Sequence, residues 1–473
     1  MQGPSSPSTT AFLPQWVAQQ RWYAGKGRVP AMRRIGGLQL VDPAGQVDID
    51  VHLLLDESAQ TPTTYQVPLT SRTAPLPGAE HALIATVEHG SLGTHYVYDA
   101  PHDPAYAAAL LRLILDEGTM ESDGTQGSVV VGGHRVATAD PGHLAASHVL
   151  TGEQSNTSII LDLADGHGVA STSLICKLFR VLHHGENPDV VVQSALADAG
   201  SMRVPHPVGY VSGEWPDAQA PDGLASGHLA FAQEFLPGAA DAWRVALAAV
   251  TSGTDFSEPA RSLGLATAEI HATMAHTMGT CVATDEDVVA LTRSMRTRHA
   301  AAVSEVPALT AYDSMVAASI DSVSSATWPA LQRIHGDYHL GQVLDVPHRG
   351  WVLVDFEGEP LRPLAERSRP DLALRDVAGM LRSFDYVAGS WERLHPDRSA
   401  AAWAAQARAA FLDGYAYGAG HDPRADAVLL RALELDKALY EVVYEARSRP
   451  TWLGIPTAAI ARLATEPRSD LQP

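Results

Sequence analysis

The sequence predicts an α+β fold of two lobes, a β-rich N-terminal lobe and a large helical C-terminal lobe, with an extra β-rich cap at the N-terminus. Three observations carry this expectation. Short stretches that alternate apolar and polar residues fill the first half of the chain. From about Ala239 the periodicity becomes Ala-rich and helical and stays so nearly to the end. A single β-like interruption, RIHGDYHLGQVL followed by WVLVDFEGEP, breaks the helical half and holds its densest group of polar side chains.

Taken in order, Val47–Leu55 and Thr63–Leu69 read as antiparallel strands with one wet face, and Ala105–Leu115 as a helix. Asp116–Gly133, rich in Gly, Ser and Asp, reads as a loop. His148–Leu163 and Ser173–Arg180 read as strands, followed by a helix that begins near Asn187, with Pro188 in its first turn and Asn187 as its cap. His228–Gly238 reads as a further strand, reached through a long hairpin loop over Gly213–Gly227. Leu263–Ala275 and Leu429–Arg449 are helical. The expected division is 1–135 for the cap and the start of an intermediate subdomain, 136–238 for a β-rich nucleotide lobe, and 239–473 for the helical lobe.

Composition narrows the functional classes. A chain of 473 residues exceeds one hydrophobic core, and 45% hydrophobic with 18% charged residues is a globular balance. A formal net charge of −21 opposes binding to nucleic acid or to an anionic membrane. No apolar run is long enough to span a bilayer, and MQGPSSPSTT has neither a basic start nor an apolar stretch, so a secretory signal is not expected. The two cysteines, Cys176 and Cys281, have no metal-ligand spacing and suit the reducing cytoplasm.

The chemistry concentrates in His335-Gly336-Asp337-Tyr338-His339, then Gln342, then the apolar run Trp351–Val354 ending in Asp355-Phe356-Glu357. The second aspartate follows the first by eighteen positions, enough for a tight loop and one hairpin that returns the chain to the same place. Phosphoryl transfer needs a carboxylate to orient the acceptor hydroxyl and take its proton, and hard oxygen donors to hold Mg²⁺ on the phosphates. Asp337 fits the first role; Gln342 and Asp355 fit the second. A zinc or iron set of His335, Asp337 and His339 is the competing reading, but it leaves VLVDFEGEP unexplained.

Upstream, Lys177 lies mid-strand, where a buried ammonium needs an anion such as an ATP phosphate; an edge-strand lysine facing solvent is the bland alternative. Gly152–Ser158, with Ser155, Asn156, Thr157 and Ser158, offers backbone N–H groups and hydroxyls as a phosphate nest. Gln233, Glu234, Phe235 and Leu236 would form a hinge against the adenine edge, unless they are an ordinary strand end. Ala24–Gly27 lacks the spacing of a Walker A loop.

The long motifs HGDYHLGQVL, VDFEGEP, RDVAGMLRSFDY and ELDKALYEVVYEARSRP, with QQRWYAGKGR near the N-terminus and GEQSNTS, resemble the actinobacterial maltokinase and glucosamine kinase family. The resemblance implies an aminoglycoside phosphotransferase-like, protein-kinase-like fold with ATP as donor, Asp337 as base, Gln342 and Asp355 on Mg²⁺, and Lys177 on the phosphates. It places the sugar pocket on Glu434–Arg449. There Glu434, Asp436, Tyr440, Glu441 and Glu445 are offered along one helix, at spacings that pair Asp436 with Tyr440 and Glu441 with Glu445, and Trp452 just beyond is positioned to stack on a sugar ring. Arg447 and Arg449 are the residues expected to neutralise some of those acids instead.

The chain departs from the maltokinase pattern at Tyr338, at Arg369–Asp376 and at Val191, the last leaving Asp189 as the acid nearest to Lys177 in sequence. These departures favour the glucosamine kinase branch, with transfer to the 6-hydroxyl. A maltokinase forming maltose 1-phosphate for α-glucan synthesis is the second reading and an aminoglycoside kinase the third; a nucleotide-binding pseudokinase scaffold is the reading from another class. The expected partners are a small sugar and ATP, with no nucleic acid, no membrane and no second subunit.

Overall fold

The computed structural model describes residues 12–88, 93–124, 127–151, 155–359 and 362–465. The chain forms two compact units. The first holds the N-terminal residues through Ser194 together with Pro205–Pro237, and the second holds Ala195–Val204 and the chain from Gly238 onward.

The first unit opens with α1 (Leu13–Gln19) and the strands β1 (Met32–Leu40), β2 (Asp48–Asp56), β3 (Thr63–Arg72), β4 (Leu83–Glu88) and β5 (Thr94–Asp99). These form an antiparallel sheet in the order β1-β2-β3-β5-β4. Helix α2 (Pro104–Leu115) follows, capped by Asp103, whose carboxylate accepts from Ala105 N at 2.9 Å and also binds Arg72. Next come β6 (Thr119–Gly124), β7 (Gly127–Arg135), β8 (His143–Val149), β9 (Asn156–Ala164), β10 (Ala170–Phe179), β11 (Val181–Leu182), α3 (Pro188–Asp198), β12 (Pro207–Pro216) and β13 (Leu224–Glu234). Seven of these strands make the second sheet, in the order β6-β7-β12-β13-β10-β9-β8, while β11 pairs with β3 of the first.

The segment Asp116–Gly133 is therefore not a loop but largely the β6–β7 hairpin. Its alternation is present, with Val129 and Val131 buried, but glycines interrupt it. Gly133 is required by packing, since a Cβ there would lie 1.9 Å from the Leu113 carbonyl oxygen of α2. The hairpin joins the same sheet as the strands of 136–238. The loop between β12 and β13 is likewise shorter than expected, because both strands run into Gly213–Gly227.

The second unit continues with β14 (Ala240–Asp241), α4 (Ala242–Ser252), α5 (Ser257–Met278), β15 (Thr280–Cys281), α6 (Asp285–Glu305), α7 (Asp313–Ser322), β16 (Leu331–Gln332), β17 (Val343–Val346) and β18 (Gly350–Leu353). It closes with α8 (Leu364–Arg367), α9 (Leu374–Leu394), α10 (Ala401–Ala419), α11 (Ala427–Ser448) and α12 (Gly454–Thr465). Helix α9 is buried along most of its length because its apolar stripe, including Val377, Met380, Leu381, Phe384 and Val387, recurs at helical spacing. No helix among the described residues is long and apolar enough to cross a membrane.

Candidate active site

The loop carrying Asp337 is held by α9. The carboxylate of Asp376 accepts from the backbone N–H of His335 (2.7 Å) and of Gly336 (2.9 Å), and from His271 Nε2 (3.0 Å). His271 is itself tied to the Tyr415 hydroxyl through Nδ1 at 2.9 Å. Asp376 is 1% exposed; burial opposes its charge, but these donors bring its pKa below the ordinary value. The loop also lies directly on the helix, for a Cβ on Gly379 would sit 2.5 Å from the Tyr338 carbonyl oxygen. His335 spends both ring nitrogens on backbone, Nε2 on the Val354 carbonyl (3.0 Å) and Nδ1 on Asp337 N–H (3.4 Å). His339 Nδ1 accepts from Gly341 N–H. These commitments overturn the zinc or iron reading of His335, Asp337 and His339.

The hairpin returns Asp355 to this loop as expected from the spacing. Val354 N–H donates to the Gln342 carbonyl at 3.0 Å, and Gln342 Nε2 donates to Asp355 Oδ2 at 3.0 Å. Asp355 has φ +67°, a left-handed conformation unusual outside glycine and better tolerated by aspartate than by most side chains. The side chains of Gln342 and Asp355 thus lie together, and with the amide oxygen turned toward a cation they would offer two hard oxygen donors, a set that fits Mg²⁺. Both Asp337 and Asp355 act electrostatically on His339, so the two carboxylates share one neighbourhood.

Asp337 faces a cavity of about 410 Å³. Its wall includes the aromatic rings Trp243, Tyr386, Tyr440, Tyr444 and Trp452, the acids Glu441 and Glu445, and the cations Lys437 and Arg449. Lys437 Nζ lies 2.9 Å from Asp337 Oδ1 and 3.3 Å from Glu359 Oε1. Burial pushes the Asp337 pKa up, but Lys437, His339 and His335 outweigh it and hold the carboxyl at about 2. Burial likewise works against the Lys437 charge, and Asp337 and Glu359 more than restore it. Glu441 is raised by burial against the pull of Arg382, which binds it at 2.7 and 3.0 Å. Glu445 is bound by Arg449 (2.6 Å) and by the Tyr386 hydroxyl (3.2 Å).

In the first unit, Lys177 Nζ donates to Asp189 Oδ2 at 2.7 Å, both groups being buried. Asn187 caps α3 by accepting from Asp189 N–H at 2.8 Å, which presents the acid to the strand. Ser158 sits opposite Lys177 in the β9–β10 register and is fully buried.

A family model described as the maltokinase N-terminal cap domain matches residues 16–103. A glucosamine kinase of Mycolicibacterium smegmatis is 30% identical over 335 residues, which cover 67% of this chain and 79% of that protein. The chain belongs to the glucosamine kinase family. The glucosamine kinase of Streptacidiphilus jiangxiensis is also 30% identical, over 339 residues and 73% of its length. A solved glucosamine kinase in complex with glucosamine, ADP and inorganic phosphate shares the fold with TM-score 0.66 at 24% identity, covering 95% of this chain and 98% of that one. Another glucosamine kinase structure, crystal form B, gives TM-score 0.67 at 24% identity over 96% and 99% of the two chains.

Within this glucosamine kinase fold the candidate residues divide. Asp337, Tyr440, Glu441, Glu445 and Trp452 meet at one cavity. Glu434 and Asp436 do not line it. Glu434 is chelated by Arg408 (2.9 Å twice), and Asp436 is bound by Arg298 (2.9 Å) and Arg375 (3.2 Å). Arg449 pairs with Glu445 while Arg447 reaches Glu305. Gly152, Glu153 and Gln154 lie outside the described residues. Ser155 is exposed and Asn156 begins β9, whereas the Thr157 hydroxyl accepts from Arg180 Nε at 2.8 Å and is committed to the sheet. In the hinge, Glu234 N–H donates to the His206 carbonyl and Phe235 N–H to the Ser173 carbonyl; Gln233 and Leu236 are buried.

Tyr338 does not line this cavity; its hydroxyl lies 2.8 Å from Thr267 Oγ1 on α5. Lys437, Glu359, Asp376 and Tyr386 were not singled out by sequence. A signal existed for the first: the chain holds three lysines among 33 basic residues, and Lys437 stands three positions after Glu434 and four before Glu441.

Proposed function

We propose that this protein transfers the γ-phosphoryl group of ATP to the 6-hydroxyl of D-glucosamine, giving glucosamine 6-phosphate and ADP. The observation that carries the reading is the placement of Asp337 on a cavity lined by aromatic rings and two further carboxylates, Glu441 and Glu445. Aromatic faces suit the apolar side of a pyranose, and the acids suit its hydroxyls and the ammonium at C2. The names of the two relatives support the same acceptor.

Asp337 orients the acceptor hydroxyl and takes its proton as the oxygen bonds to the γ-phosphorus and ADP leaves. A carboxylate held at about 2 is a weak base toward a free hydroxyl, so proton transfer follows the build-up of bond order at phosphorus, as the loose transition state of phosphoryl transfer allows. Gln342 and Asp355 would hold Mg²⁺, which when bound neutralises phosphate charge. Lys177, set by Asp189, supplies a fixed positive charge to the phosphates. Two unpaired cysteines, one buried and one exposed, fit a reducing compartment, and we read the enzyme as a cytoplasmic monomer.

A maltokinase forming maltose 1-phosphate is the second reading, favoured by the description of the matching cap model. Purified protein with Mg·ATP, assayed for ADP release against glucosamine, glucose, maltose, N-acetylglucosamine and an aminoglycoside, separates the two. The proposal expects glucosamine to give the highest kcat/KM; preference for maltose, or no sugar-dependent turnover, rejects it.

A further inference from the structure

A second cavity of about 810 Å³ lies beside the acceptor cavity in the same unit, walled by α9, α10, α12 and the short turn Pro450–Trp452. Apart from Trp452, it contains no residue used by the reaction as proposed. Its floor is small and apolar, with Ala388, Gly389, Ala404 and Ile455, and its polar wall includes Asp385, Glu392 and Arg393. Among the described residues, Trp452 alone lines both cavities.

The indole is built into this position. It stacks with Tyr386 of the acceptor wall at 6.4 Å and 21°. The Arg449 guanidinium, which lines the acceptor cavity, lies 4.7 Å from its ring, and that of Arg393, which lines the second cavity, lies 4.9 Å away. Behind it, α9 presents alternate faces to the two spaces: Gly379, Ser383 and Tyr386 to the first, Asp385, Ala388 and Glu392 to the second. The acceptor cavity alone is at the small end of the ~300–1,000 Å³ common for ligand pockets, and the two joined would pass its upper end.

From this partition we infer that Trp452 is a specificity-determining residue, the wall that confines the acceptor to one sugar ring, with room for a second ring directly behind it. The inference rests on the amino-sugar kinase reading above. An acceptor carrying a glycosidic extension is excluded by the indole rather than by lack of space, and shortening that side chain opens the carboxylate- and guanidinium-bearing cavity to the extension.

The test compares wild type, Trp452→Ala and Trp452→Phe on glucosamine, on the β-1,4-linked glucosamine disaccharide and on maltose. Trp452→Leu is carried alongside in case the alanine variant does not fold, and thermal melting reports on folding. The expected result is a rise of at least ~10-fold in the disaccharide-to-glucosamine ratio of kcat/KM for the shortened variants, with little change for phenylalanine. Adding Ala405→Trp, an exposed α10 position that lines only the second cavity, should cancel that rise while leaving the wild-type background active on glucosamine. An unchanged ratio in folded Trp452→Ala and Trp452→Leu overturns the inference, as does loss of turnover on every acceptor by a folded variant. If wild type fails to phosphorylate glucosamine at all, the functional reading falls instead.

Discussion

Lys437 Nζ stands 2.9 Å from Asp337 Oδ1, so the ammonium of α11 is hydrogen-bonded to the carboxylate proposed to orient the acceptor. Glu359, 3.3 Å from the same nitrogen and itself bound by Arg298, completes an ion-pair network in which the lysine has two acidic partners. This pair sets the ionisation of the site. A depressed carboxyl pKa means that the charged form exists at every pH above about 2, so the kcat/KM profile of wild type should show no acid limb from Asp337 between pH 4 and 9. In Lys437→Met the burial of Asp337 is opposed only by His339 and His335, and its pKa rises. An acid limb should then enter the profile, displaced upward by ~1–3 pH units. Identical profiles for the two proteins would show that Lys437 does not govern Asp337.

Replacing Asp337 by asparagine keeps the shape and removes the proton acceptor. The kcat should fall by ~10²–10⁴ while the affinity for Mg·ATP, read by isothermal titration, stays within a few-fold. Turnover near the wild-type rate would take Asp337 out of the mechanism.

Asp355→Asn retains a residue type that tolerates φ +67° but loses the anionic oxygen beside Gln342. The Mg²⁺ concentration for half-maximal velocity should rise at least ~10-fold at saturating ATP, since one charged ligand is lost from a hard-cation site. An unchanged Mg²⁺ titration would contradict the assignment of Gln342 and Asp355.

Asp189→Ala removes the carboxylate that accepts from the buried Lys177 ammonium at 2.7 Å. Truncating one member of such a pair costs ~3–5 kcal/mol, visible as a lowered denaturation midpoint, and the KM for ATP should rise as the lysine loses its position. ATP in excess should recover part of the lost stability, because the phosphates supply the missing anion. A variant as stable as wild type, with unchanged KM, would show the pair to be dispensable.

Asp376→Ala removes the acceptor shared by His335 N–H, Gly336 N–H and His271. Leaving one buried and one half-buried backbone donor unmet costs up to ~1–3 kcal/mol each, so the midpoint should drop and kcat should fall with it. Asp376→Asn, which keeps acceptor oxygen for part of the set, should lie between the two. Full activity in the alanine variant would mean that the loop is held by other contacts.

The sequence made the meeting of Asp337 and Asp355 legible because phosphoryl transfer demands particular groups in a short space, and the hairpin between them has few ways to fold. It was less informative on α11. Glu434, Asp436, Glu441 and Glu445 share a helix and were read together, yet only the last two reach the acceptor cavity. What separates them is which arginine each meets, and Arg408, Arg298, Arg375 and Arg382 come from three other helices. Such long-range partners leave no trace in local spacing. The β6–β7 hairpin was hidden for a different reason: glycines placed for close packing against α2 imitate a loop. Asp376 was overlooked because a buried aspartate inside an apolar stripe looks like the polar edge of a helix until its backbone partners are known.

The four acids of α11 have a collective effect. Each is held by groups from neighbouring helices: Glu434 by α10, Asp436 jointly by α6 and α9, Glu441 by α9, and Glu445 by Tyr386 of α9 as well as by the arginine that ends α11 itself. A rod clasped at several points around its circumference can adopt only one azimuth, and turning it by a single residue step would break the bonds these carboxylates make to other helices. The α11 face that lines the cavity is thereby keyed to a fixed rotation.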